Sequence, residues 1–160
     1  MRLLPLVAKV VGMKIPKSKL KPPRGFKVPD VNAFKEDMER LGEDIAEGFK
    51  ERVIENIEEN RFGYSLAPAT IRKKGSDTPL IDTHQLVDAI YREETIVSVE
   101  DTPRTDSSLT NKELAIVQEY GTKDKHIPAR PVWRSTFDEY KEDAQQQVDD
   151  FLVTHKFKNK

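Results

Sequence analysis

Apolar residues at Val31, Phe34, Met38, Leu41, Ile45, Phe49, Val53 and Ile57 recur in steps of three and four. That period traces one face of a helix, with charges filling the other, and predicts an amphipathic helix over 31–60. Asp30 and Asn32 can each cap its start by accepting from a free amide, and Gly63 stops it. The same period returns in Trp133, Phe137, Tyr140, Ala144, Val148 and Phe151, joined by Leu152. It predicts a second long helix over 131–155, with Pro131 in the first turn, where a missing amide costs nothing.

The segment between them is more broken. Residues 64–83 read as loop, with Pro68, Gly75 and Pro79, and with a short helix from Pro68 to Lys74. Thr83 is expected to cap a short helix through Ile90 that turns Leu86, Val87 and Ile90 inward. From Tyr91 to Glu100 the period shifts to two, which predicts a strand. The turn formers of 101–111 predict a hairpin loop. Glu113 to Tyr120 fits a strand partner or a short helix, and Gly121 ends it. The expected fold is α+β: two long helices packed on a small antiparallel sheet. An extended basic arm (1–30) precedes the domain (31–155), and a short basic tail (156–160) follows. There is no internal repeat.

Composition narrows the function. The chain has 160 residues, about one domain's worth, with 34% charged and 36% hydrophobic residues. Its mean hydropathy is -0.68, and no run approaches the roughly 20 apolar residues of a membrane span. Leu3, Leu4, Leu6, Val7, Val10 and Val11 follow Arg2, but Pro5 and Lys9 interrupt them and no cleavage pattern follows, so a secretory signal is not expected. Cysteine is absent, which excludes disulfides, thiol nucleophiles and Cys-based zinc sites. His84, His126 and His155 stand alone. Asp82 and His84 could touch a metal, yet no third ligand is near in sequence. No serine has a nucleophile-elbow context, and no Gly-rich phosphate loop can be drawn. No catalytic residue, metal or cofactor is expected, and a binding or structural protein is favoured over an enzyme.

The net charge of -1 conceals an asymmetry. Residues 1–30 carry eight basic side chains, among them Lys17, Lys19, Lys21 and Arg24, against the single acid Asp30. Residues 31–60 carry ten acids against four bases. Such a pairing suits nucleic acid, an acidic neighbour, or association of unlike patches. Pro16, Pro22, Pro23 and Pro29 favour extended backbone over 14–30, because each fixes φ and removes a donor.

Two further segments stand out. The first contains Pro79-Leu80-Ile81-Asp82-Thr83-His84-Gln85-Leu86. The second contains Glu119-Tyr120-Gly121-Thr122 and then Pro128-Ala129-Arg130-Pro131-Val132-Trp133. Gly121-Thr122 marks a sharp turn. Arg130, between Pro128 and Pro131, presents its guanidinium from a stiff segment. That suits a fixed bond to a neighbouring subunit or one within the chain. Trp133 and Phe137 are the expected core anchors.

In order and spacing these segments resemble the small neck and tail-component proteins of long-tailed double-stranded DNA phages, variously called tail-completion, head–tail joining or minor tail components. The resemblance covers about residues 31–152. His84 stands where that pattern often has glycine, Val132 precedes the aromatic Trp133, and the arm lies outside the pattern. The resemblance implies a non-enzymatic structural protein of the virion neck or tail, present in host cytoplasm during assembly. It implies a homo-oligomeric ring, a hexamer by preference or a dodecamer. The ring would sit between a head-side connector or stopper and a tail terminator or tail tube protein. DNA would pass through its lumen without specific binding, and an acidic lining would repel phosphate. The expected subunit or partner contacts are Gly121, Thr122, Pro128, Arg130 and Pro131, with Lys17, Lys19, Lys21 and Arg24 of the arm. The alternatives are a tail terminator or other tube-capping ring and, from another class, a DNA-binding protein using the arm.

Overall fold

The computed structural model describes residues 31–75, 84–124 and 126–158. The basic arm, with Lys17, Lys19, Lys21 and Arg24, lies outside these residues, as do Pro79 to Thr83. The fold is α+β, with two long helices packing with a small antiparallel sheet. In chain order the elements are α1 (Val31–Glu58), α2 (Pro68–Lys74), α3 (Gln85–Asp88), β1 (Ile90–Glu93), β2 (Ile96–Val99), α4 (Asn111–Tyr120) and α5 (Val132–Lys158).

At about 1.5 Å rise per residue, α1 and α5 are each ~40 Å long. They run antiparallel. Phe34 meets Phe151 at one end, Phe49 meets Tyr140 midway, and Asn56 donates to Thr136 Oγ1 at 2.9 Å toward the other end. α1 lies in the middle of the fold, with the hairpin on one side and α5 along the other. Its residues Ala46, Phe49, Val53 and Ile57 are buried against Leu86, Val87, Ala89 and Ile90, Val97 and Val99 of the hairpin, Ala115 of α4 and Val132 of α5. Trp133 and Phe137 pack against this cluster but remain half-buried at its margin. Phe49 is the central aromatic instead, with ring contacts to Trp133, Phe137 and Tyr140.

Several expectations are corrected. Residues 91–100 are not one strand but part of a hairpin with register Ile90↔Val99 to Glu93↔Ile96. Glu94, at φ 51, turns the chain without glycine. Ile90 therefore belongs to β1 and not to the preceding helix, which ends at Asp88. The position before α3 is His84, left-handed at φ 56; the expected cap, Thr83, lies outside the described residues. Residues 101–110 join β2 to a helix rather than closing a hairpin, although Pro103 and Thr110 form a bridge. That helix, α4, settles the reading of 113–120. Thr110 Oγ1 accepts from the Glu113 amide and the Glu113 carboxylate accepts from the Thr110 amide, a reciprocal cap. Pro131 stands one residue before α5, its carbonyl accepting from Ser135 at 3.0 Å. Leu152 is exposed, not on the buried face.

Glycine lets α1 be approached closely. The Tyr140 hydroxyl sits where a Cβ on Gly48 would be. Alanine in place of glycine ordinarily stabilises a helix interior by about 0.5–1 kcal/mol. Gly48→Ala should instead lower the urea midpoint, and Tyr140→Phe in that background should recover most of the loss. A single mutant as stable as wild type would contradict this packing.

The hairpin is also held by charge. Arg92 Nε lies 2.8 Å from Glu47 on α1, and its Nη1 lies 3.7 Å from Glu43. Hydrogen bonds from Lys50 and then Arg92 hold the Glu47 carboxyl below its usual range. A lowered folded-state pKa means this contribution is present above the unfolded value and is lost as pH falls through the folded one. Arg92→Gln should therefore shrink the drop in melting temperature between pH 7 and pH 3. An unchanged drop would count against the clamp.

Candidate functional site

The second motif segment folds into one corner between α4 and α5. α4 ends with the Gly121 amide donating to Val117 O at 2.7 Å. Gly121 takes φ 73, ψ 179, a region open essentially to glycine alone. The loop then folds on itself: the Thr122 amide donates to Ile127 O, and the Ile127 amide to Thr122 Oγ1, both at 3.0 Å. The Thr122 hydroxyl and then the His126 amide hold the Asp124 carboxyl below its usual range.

Beyond the loop the chain returns along α4. The Arg130 amide donates to Gln118 O at 2.6 Å. The residue is only 9% exposed, and its guanidinium donates from Nη1 to Gln118 Oε1 at 2.9 Å and from Nη2 to Ser65 O at 3.2 Å. The adjacent Glu119, 8% exposed, accepts from the Trp133 amide at 3.0 Å and the Arg134 amide at 3.2 Å. These are free donors of the first turn of α5, so a carboxylate caps the positive end of that helix. Arg134 also approaches Glu119 at 3.6 Å.

Gly121, Thr122, Pro128, Arg130 and Pro131 are thus brought together, but Arg130 faces inward. Its described partners lie within the chain, one of the two arrangements that its sequence context allowed. Arg130→Ala should lower the stability of the single chain by about 1.5–3 kcal/mol, the range for hydrogen bonds to a charged group. Arg130→Lys should recover only part, lacking the fork. Urea denaturation is the measurement, and an unchanged midpoint would show that these contacts hold nothing.

Two residues of the corner stood in the quoted motif without a role assigned to them. One is Glu119, whose role follows from its place two residues before the stop at Gly121 and from the helix start beyond. The other is Tyr120, 66% exposed, with the Arg134 guanidinium 5.5 Å above its ring. Ile116, one turn earlier, is exposed with it. That i, i+4 pair, off the buried face of α4, was visible as spacing. Tyr120 and Ile116 form the outward side of the corner.

Among the described residues, the cavity at this corner is small. The gap lined by Ile57, Leu86, Gln118, Arg130 and Trp133 has about 10 Å³, room for no more than about one water. An open groove of about 230 Å³ lies between Gln85, Glu100, Pro103 and Asn111, below the ~300–1,000 Å³ of ligand pockets. Among the described residues no three His, Asp or Glu side chains are placed to hold a metal. None of the described helices is long and apolar enough to cross a membrane.

The outer faces of the long helices are acidic. Glu36, Glu43, Asp44, Glu51, Glu55 and Glu58 are exposed on α1, and Asp138, Glu139, Glu142, Asp143, Asp149 and Asp150 on α5. No family model, no curated protein and no solved structure matches this chain.

Proposed function

We propose that this protein is a structural component of a phage neck, a tail-completion or head–tail joining ring through which DNA passes. The observation that carries the reading is the pair of ~40 Å helices with carboxylates along both outer faces. Lining a channel, such faces repel the phosphate backbone and let duplex DNA slide without adhering. The corner at 118–134 supports the reading differently. The segment that carries the resemblance builds a rigid scaffold, with Glu119 and Arg130 inside and Tyr120 outside. Such a scaffold suits the presentation of a surface. The ring joins a head-side connector or stopper to a tail terminator or tail tube protein.

The test is electron microscopy of the purified full-length protein, together with a search for it in purified particles. Rings or incorporation support the proposal; a monomer absent from particles ends it. The +7 charge of residues 1–30 motivates the DNA-binding alternative. That reading requires duplex binding by the monomer whose affinity falls steeply with salt.

A further inference from the structure

Lys112, Ile116 and Tyr120 step by four along α4 and share its exposed side. Ile116 is 52% exposed and Tyr120 66%. Arg134 stands over the Tyr120 ring, and Lys123 is exposed in the loop that follows. A tyrosine braced by an arginine is the kind of rigid anchor that carries binding energy. The acids beside this stripe are engaged within the chain. Glu113 accepts from the Thr110 amide, and Asp124 from the His126 amide. Residues 121–134 carry four bases against the single acid Asp124.

We propose that this corner docks on the outward face of α5 in a second copy of the chain. On that face Glu142, Gln146, Asp149 and Val153 step by four, three and four, with Asp150 beside them, and all are exposed. Asp149 and Val153 lie on the side of α5 opposite Phe151 and His155, which face α1. Three observations select this occupant. The charges are complementary: residues 138–150 carry six acids against one base, the reverse of 121–134. Val153, 49% exposed, offers Ile116 and Tyr120 an apolar contact at the end of the acidic run. The third is separation. Arg134 and Asp150 are 16 positions apart on one helix, about 24 Å at ~1.5 Å per residue. The Glu119 cap fixes the corner to the start of its own α5, so it cannot reach its own Asp149 and Asp150. Each copy thus offers its corner to one neighbour and its acidic face to another, a head-to-tail contact of the kind that closes rings. This rests on the reading that copies assemble. It names the contact by which they do so, and it leaves the outward carboxylates of α1 to the channel.

Sedimentation of full-length protein tests it with two charge reversals, one in the corner (Lys112→Glu with Lys123→Glu) and one on the face (Asp149→Lys with Asp150→Lys). All four positions are exposed, so both variants should keep the wild-type circular dichroism. Wild type should self-associate, and each variant alone should do so at least about tenfold more weakly, because charges that attracted now repel. Mixed in equal amounts, the two should alternate and recover assembly. The reversed corner of one then meets the reversed face of the other, and the remaining contact is that of the wild type. A mixture that associates no better than either variant overturns the proposal. Rings that form unchanged from each variant alone overturn it while leaving the ring itself standing. A wild-type chain that remains monomeric, in solution and in particles, overturns both. Duplex DNA bound by that monomer, and released by the corner reversal, would give the surface to nucleic acid instead.

Discussion

Gly121→Ala should destabilise the chain by about 3 kcal/mol or more. Two costs add. The backbone at φ 73, ψ 179 lies in a region that side chains with a Cβ essentially never occupy, a strain of roughly 1–3 kcal/mol. The new Cβ would also lie 2.8 Å from both Ala129 N and Ile127 O. Those are backbone atoms and cannot rotate away. Relief would require the returning segment to lift off α4, weakening the Arg130 contacts with Gln118 and the Glu119 cap together. Gly63 is the control. It also has positive φ, but a Cβ there meets nothing within 4 Å, so Gly63→Ala should cost only about 1–2 kcal/mol. Urea midpoints of the two variants decide the matter. Equal losses would mean that the close approach at Gly121 contributes nothing.

Phe49→Ala should have the other large effect, about 3–5 kcal/mol, the usual cost of removing a buried aromatic ring. Phe49 is 7% exposed and its ring centroid lies 5.9–6.3 Å from those of Tyr140, Trp133 and Phe137. Its loss leaves a void between α1 and α5 that three rings border. Domains are stable by only ~5–15 kcal/mol, so the variant should be partly unfolded at 37 °C. Trp133→Ala should cost less, because Trp133 is half-buried. Finding the reverse order by chemical denaturation would place the packing centre on α5 instead.

Both long helices were legible because each keeps an apolar period over many turns. α2 was legible from Pro68 at its start and Gly75 at its end, the latter at φ 74. The hairpin was hidden because Glu94 and Thr95 are not turn formers, and the residues on either side keep alternating through them. α4 could have been read from Thr110 and Glu113, a cap written in four residues. The β-branched Ile116 and Val117 pulled the other way. At the corner, sequence marked the right segment and the stiffness of Arg130, but not its direction. Its partners are Gln118 and the carbonyl of Ser65, 12 and 65 positions away. Neither carries a charge that would have announced the pairing.

The antiparallel pairing of α1 with α5 has a consequence in time. The first and last described helices complete each other, and Asn56 meets Thr136 across 80 positions. Chains rich in such distant contacts fold slowly, because a large loop must close before its contacts are gained. During synthesis at ~5–20 residues per second, the apolar side of α1 waits roughly 5–20 s for α5 to be made. A nascent chain in that interval is the form most open to aggregation or to chaperone capture, and truncation before Val132 should trap it there.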